Sequence, residues 1–301
     1  MSTEDRGNWP ASLAYGAIGV SDIDRSLWFY CDVLGFNLVE SSPLGGGGGG
    51  RGPRAYHLRC PGGGINLLTT GSRSAASGWL WDDLQIGVRH VGMKVAGVDD
   101  WAQRLHSLGT PFRLEPVEAV GNVRIAFFED PDGANLEIVQ GYIEYSKVWD
   151  SALVAGELGT AVPAPTAVRF DHVGVSTTNL DATLSFYERV FGFRVIDQIF
   201  YPDHPKGMTI TMLRAGGAKL EVFTFTQPMT GCPWAPGVDC AGLRHVGIET
   251  GDVGGAARRA TAAGGAMAAG PDGPGEPGGP GHPRVMLTDP DGIPLEMGAP
   301  S

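Results

Sequence analysis

Positive charge, cysteine and long apolar runs are all scarce in this chain of 301 residues. Its 22 lysines and arginines face 33 aspartates and glutamates, for a formal net charge of -11. Nucleic-acid backbones and anionic membrane surfaces attract clustered Lys and Arg, and no such cluster is present, so neither is expected as a partner. The four cysteines, Cys31, Cys60, Cys232 and Cys240, match neither a Cys-x-x-Cys metal site nor a small disulfide framework, and are read as reduced structural thiols. No apolar run approaches the ~20 residues that cross a bilayer. The first ten residues carry Glu4, Asp5 and Arg6 and lack the basic and hydrophobic regions of a secretory signal. A soluble, cytoplasmic protein is expected. Hydrophobic residues make up 42%, enough for cores in two ordinary domains.

What the sequence has in plenty is repetition. AIGVSDIDRSLWFYCDVLGF at 17–36 matches HVGVSTTNLDATLSFYERVFGF at 172–193; RHVGMKVAGV at 89–98 matches RHVGIETGDV at 244–253; EDPDGANLEI at 129–138 matches TDPDGIPLEM at 288–297. Such offsets mark a duplication. The four quarters resemble one another too. Each opens on a short strand, continues into an amphipathic segment such as Leu180, Leu184, Tyr187 and Phe191 at helical spacing, and ends in three alternating runs that read as strands. Asn179 or Thr178 can cap the third-quarter helix. Gly45–Gly50 and the Gly- and Pro-rich 270–283 read as surface loops. The stretch from about 141 to 167 joins the halves, and its Tyr142, Tyr145 and Trp149 suggest that part of it packs on a domain.

Three of the seven histidines, His90, His172 and His245, stand immediately before Val-Gly in an opening strand, and Glu137, Glu221 and Glu296 stand inside the closing apolar strands NLEIV, KLEVF and PLEMG. A carboxylate in a half-buried strand needs a compensating ion-pair partner or a metal. In the first quarter the equivalent positions are read as Ala17 and Asn66, and neither is a useful ligand. His57, His106 and His282 have no repeated counterpart and are expected at the surface. His204, in YPDHPKG, could roof a cup, and Tyr201, Trp234 and Met208 are candidates to line one.

With its opening His, FYxxVLGF-like helix end, DPDG turn and closing LE strand, the sequence resembles the vicinal-oxygen-chelate superfamily, which includes glyoxalase I, methylmalonyl-CoA epimerase, extradiol dioxygenases and metal-free antibiotic-binding proteins. The resemblance implies an α+β fold of four βαβββ units forming two cupped half-barrel domains, at 13–142 and 168–299, with a linker at 143–167. It also implies one metal, held by first and last strands of paired units. Pairing of neighbouring units is expected, because sequential elements usually lie adjacent. This gives His172, Glu221, His245 and Glu296 as ligands, with Glu221 and Glu296 as exchanging acid and base. Pairing of outer with inner units would instead put His90 and Glu137 beside His172 and Glu221.

Two imidazoles and two carboxylates leave a divalent ion near neutral, with about two positions open for neighbouring substrate oxygens. Zinc is favoured, though nickel, cobalt, manganese and iron suit the same ligands. The ion would act as a Lewis acid for an enediolate while the glutamates move the proton. The expected function is therefore epimerisation or isomerisation of a small polar hydroxyketone, such as a valiolone-type cyclitol, by a monomer or homodimer. Alternatives are an extradiol ring-cleaving dioxygenase, a glyoxalase I-like lyase and a non-catalytic drug-binding protein.

Overall fold

The four opening segments are apolar on both faces, as strands at the centre of a sheet must be. In a computed structural model, which describes residues 11–44, 52–70, 78–201, 203–233, 240–270, 273–274 and 284–300, they are β1 (Ser12–Val20), β5 (Gly87–Lys94), β10 (Arg169–Ser176) and β14 (Gly242–Glu249). Between them the first unit adds α1 (Ile23–Leu27), β2 (Asn37–Pro43), β3 (Arg54–Cys60) and β4 (Gly63–Thr69), and the second adds α2 (Val98–Ser107), β6 (Phe112–Ala119), β7 (Val123–Glu129) and β8 (Asn135–Gln140). After β9 (Lys147–Val148) and α3 (Ser151–Leu158), the third unit adds α4 (Leu180–Phe191), β11 (Arg194–Tyr201), β12 (Met208–Ala215) and β13 (Ala218–Phe225). The fourth has α5 (Val253–Ala262), β15 (Ala266–Met267), a ribbon of β16 (Ala269–Gly270) and β17 (Gly273–Pro274), then β18 (Arg284–Thr288) and β19 (Pro294–Gly298). Four βαβββ units in an α+β fold are thus present as expected. The glycine run at 45–50, most of 270–283, Trp234 and His282 lie outside the described residues.

The helices follow their sequence signals. Asn179 caps α4 by accepting from the Ala182 amide at 3.1 Å. The helix buries Phe186, Tyr187, Val190 and Phe191, each contributing on the order of 2 kcal/mol through lost apolar surface. The first-unit helix departs from a regular α-helix: after α1 the chain widens into a π-helical turn over Trp28–Val33, with the Leu34 amide donating to the Phe29 carbonyl at 3.0 Å. The extra residue in the turn lets Phe29, Tyr30 and Val33 all face the core.

Two sequence landmarks prove to hold each other. Asp130, in the first DPDG turn, accepts from the amides of Asp132 and Ala134 and from the Tyr30 hydroxyl at 2.9 Å. Asp289 accepts likewise from Asp291, Ile293 and, at 3.3 Å, Tyr187. The Phe-Tyr and Asp-Pro-Asp-Gly motifs therefore tie first unit to second and third to fourth.

Sheet pairing runs the other way. One sheet has the order β15-β18-β19-β14-β1-β4-β3-β2 and the other β6-β7-β8-β5-β10-β13-β12-β11-β9. The first unit thus shares a cup with the fourth, and the second with the third, which corrects the expectation of neighbour pairing. The linker takes part: β9 pairs with β11, and Ile143, Tyr145, Leu153 and Val154 pack on Ile196, Ile199, Ile210 and Met212. Among the described residues, no helix is long and apolar enough to cross a membrane.

Candidate metal centre

At the middle of the second sheet, β5 and β10 run antiparallel, with His172 opposite Gly92 and Gly174 opposite His90. Two residues separate His from Gly in each His-Val-Gly, so each strand offers one imidazole and one vacancy to its partner. A Cβ on Gly92 would stand 2.1 Å from the His172 ring, and one on Gly174 would stand 2.3 Å from the His90 ring. Glycine at these two positions is what lets both rings lie flat across the strand pair. The closing strands flank them: Glu137 on β8 lies beside Gly92 and Glu221 on β13 beside Gly174. The carboxylates therefore come in from opposite sides of the two imidazoles.

The four side chains converge and are all buried. His90 Nε2 and His172 Nε2 face each other at 2.9 Å. Glu137 Oε2 lies 2.8 Å from His172 and 3.3 Å from His90; Glu221 Oε2 lies 3.0 Å from His90 and 3.4 Å from His172. Ligand atoms about 2.1 Å from one ion stand about 3.0 Å apart when they subtend a right angle, so these spacings suit coordination. Glu221 Oε2 is buried and makes no well-aligned hydrogen bond despite its distance from His90, as fits an atom directed at a shared centre. Two carboxylates balance the double charge of a divalent ion. The group suits one such ion, and its ligand types do not single out which.

Without an ion these groups polarise one another. Burial opposes charge on His172, but Glu221, Asp171 and Glu137 outweigh it and push its pKa up to about 10. Burial likewise works against an ionised Glu137, yet His172 and His90 bring it down to about 2. Behind His172, Asp171 Oδ2 sits 2.9 Å from Nδ1 and 3.1 Å from Lys219 Nζ. Burial opposes the charges on both, but their attraction prevails, holding Asp171 well below the usual carboxylate range and raising Lys219.

His245 and Glu296 are not brought to His172 and Glu221; they meet in the other cup, 3.0 Å apart. The strand register also revises the first unit. Gly247 and Glu296 are neighbours on β14 and β19, and Ala17 and Asn66 are neighbours on β1 and β4, so Ala17 occupies the glycine place. The histidine place belongs to Tyr15, which stands opposite Gly247. Its hydroxyl donates to Glu296 Oε2 at 2.8 Å, and Arg284 donates to both Tyr15 and Glu296 Oε1 at 3.2 Å. This cup is therefore closed by its own side chains: Arg284, His245 and Tyr15 supply what a metal would.

Burial raises the Glu296 carboxyl, but His245, Arg284 and Tyr15 overcome it and hold it well below the usual range. A depressed folded-state pKa stabilises the fold above the unfolded value of roughly 4.3 and loses that contribution as pH falls toward the folded value. Glu296→Gln should accordingly cost about 2 kcal/mol near pH 7, and the gap from wild type should close on acidification below the ordinary carboxylate range. Denaturant unfolding at several pH values checks this; a gap that stays constant or widens in acid would contradict the ion-pair account.

Other candidates are placed elsewhere. His57, expected at the surface, is buried and lies 3.1 Å from Ser42 Oγ, because strand β3 turns it toward the closed cup beside Asn66. His106 is exposed, 3.0 Å from Glu115. His204 stacks near Tyr201 and Phe225 rather than against the four converging residues, and Met208 packs with the linker cluster. The four cysteines are free thiols. Asp171, Lys219, Tyr15 and Arg284 were not anticipated, although Asp171 and Lys219 carry the same signal as the glutamates, a charge inside an apolar strand.

The model of the Glyoxalase/Bleomycin resistance protein/Dioxygenase superfamily matches residues 12–138 and 169–297. A probable lactoylglutathione lyase of Synechocystis is 30% identical over 139 residues, covering 42% of this chain and 94% of that protein. An iron-dependent extradiol dioxygenase of Rhodococcus jostii is 28% identical over 201 residues, covering 64% of this chain; the chain spans only 57% of that relative. The crystal structure of glyoxalase I from Zea mays superposes with a TM-score of 0.70 at 19% identity, over 97% of this chain and 93% of that one, which speaks to the fold. With both blocks matched and a buried His/Glu group between them, the chain belongs to the Glyoxalase/Bleomycin resistance protein/Dioxygenase superfamily.

Proposed function

We propose that the protein catalyses a metal-dependent 1,2-proton shift of the glyoxalase I type in a small substrate with oxygens on adjacent carbons. The observation that carries this reading is the pair of glutamates, Glu137 and Glu221, on opposite sides of His90 and His172. A bound divalent ion would supply Lewis-acid stabilisation of charge developing on the substrate oxygens. The chain's own part is to move the proton. One glutamate takes it from the carbon bearing the hydroxyl, and a glutamate returns it to the neighbouring carbon, so that the substrate is isomerised without any oxidant. Phe127 and Phe223 stand 5.2 and 5.8 Å from the His90 ring, and Trp81 stands 5.8 Å from Phe127. Their apolar surfaces exclude water and strengthen the electrostatics of the transfer.

The Synechocystis and maize proteins support a glyoxalase-type rearrangement over epimerisation of a cyclitol, for which none of the relatives above speaks. The Rhodococcus relative favours a second reading, ring cleavage of a catechol with oxygen. Against it stands the second carboxylate, which occupies space that an oxygenase leaves for substrate and oxygen. The test offers zinc-, nickel- and iron-loaded protein the hemithioacetal of glutathione with a 2-oxoaldehyde, and separately a catechol in a sealed oxygen cell. Thioester formation without oxygen uptake is expected. Oxygen consumption matched to catechol loss, with no thioester formed, would replace this reading with the second.

A further inference from the structure

We infer that Asp171, Lys219 and the linker residue Glu157 form a positioning chain that tunes how tightly His90, Glu137, His172 and Glu221 hold a divalent metal. The chain is continuous and buried. His172 Nδ1 lies 2.9 Å from Asp171 Oδ2, Asp171 lies 3.1 Å from Lys219 Nζ, Lys219 donates to Glu157 Oε1 at 2.5 Å, and the Tyr145 hydroxyl donates to Glu157 Oε2 at 2.5 Å. Asp171, Lys219 and Glu157 are each at most 6% exposed. Three buried charges in a row destabilise a fold relative to apolar side chains of the same volume unless something else requires them.

What they do is set by their order. Asp171 accepts the Nδ1 proton of His172, which leaves the Nε2 lone pair free to face Glu137, Glu221 and His90. A carboxylate behind a metal-ligating histidine orients the ring and raises its basicity. Lys219 anchors that carboxylate, and Glu157 offsets the ammonium so that no net positive charge stands behind the site. Lys94, also buried, is directed to the Gly141 carbonyl and lies over the Tyr142 ring at 5.2 Å, completing the charged groups at this end of the cup. Glu157 belongs to α3 and Tyr145 to the segment before it, so the stretch joining the second and third units is part of the site rather than a tether.

The inference rests on the metal reading above, and the two fail differently. Full-length wild type that binds no zinc tightly in a chelator competition sinks that reading. Wild type that binds zinc while Asp171→Asn and Glu157→Gln bind it equally well sinks this one. Expected instead is a 10- to 100-fold weaker zinc affinity for Asp171→Asn and a smaller loss for Glu157→Gln, together with an altered visible spectrum of the cobalt-substituted protein. Melting of each metal-free variant separates affinity from folding. Should either charged variant fail to fold, Tyr145→Phe keeps the ring and removes only the hydroxyl at the far end of the chain. It should weaken zinc binding severalfold, and unchanged affinity and cobalt spectrum there would overturn the proposal.

Discussion

His90→Ala protein should emerge from purification without metal and without activity, whereas His245→Ala should keep one metal per chain and most of its turnover. Three observations make the difference large. His90 Nε2 lies within 3.3 Å of His172, Glu137 and Glu221, so its loss removes one of four ligands and leaves two buried carboxylates facing a single imidazole. His245 instead completes a cup already closed by Tyr15 and Arg284 around Glu296. Breaking a buried ion pair costs about 3–5 kcal/mol, so His245→Ala should lower the melting temperature while leaving the metal-to-protein ratio at one. Plasma-emission analysis of both variants beside wild type decides the matter. Metal lost from His245→Ala and retained by His90→Ala would mean that the units pair as neighbours in solution.

Turnover should fall by about 10²–10⁴-fold in Glu137→Gln or Glu221→Gln measured at saturating metal, the range for removing a general acid or base. Gln keeps the volume and one acceptor oxygen but cannot carry the proton, so the fold should survive. The two losses need not be equal: Glu137 lies nearest His172 and Glu221 nearest His90, and a substrate bound in one orientation meets them in different roles. Solvent-deuterium incorporation into product separates those roles, since the variant lacking only the returning acid should still exchange the substrate proton. If both variants, shown to be metal-loaded, turned over at near wild-type rates, the glutamates would be ligands alone.

The unit plan and the candidate ligand types were legible in the sequence because both are local. Helical spacing at Leu180, Leu184, Tyr187 and Phe191, the DPDG turns and a charge inside an apolar strand each need only a short window. His90, His172, Glu137 and Glu221 could all be named from their places in the repeat. Their grouping could not. An opening strand exposes the same hydrogen-bonding edge to any other opening strand, so His-Val-Gly by itself does not tell a neighbour from a distant partner. The Tyr15 position was hidden for a related reason. Side chains alternate along a strand with a period of two, and a slip of two residues returns every side chain to its own face. Ala-Ile-Gly at 17–19 therefore aligns with His-Val-Gly as plausibly as Tyr-Gly-Ala at 15–17 does. Only the pairing of Ala17 with Asn66 and of Tyr15 with Gly247 separates the two. By itself the sequence determined the four units and the residue types able to hold a metal. Tertiary structure decided which four meet, because contacts between strands some 80 residues apart depend on long-range sheet pairing that no local pattern encodes.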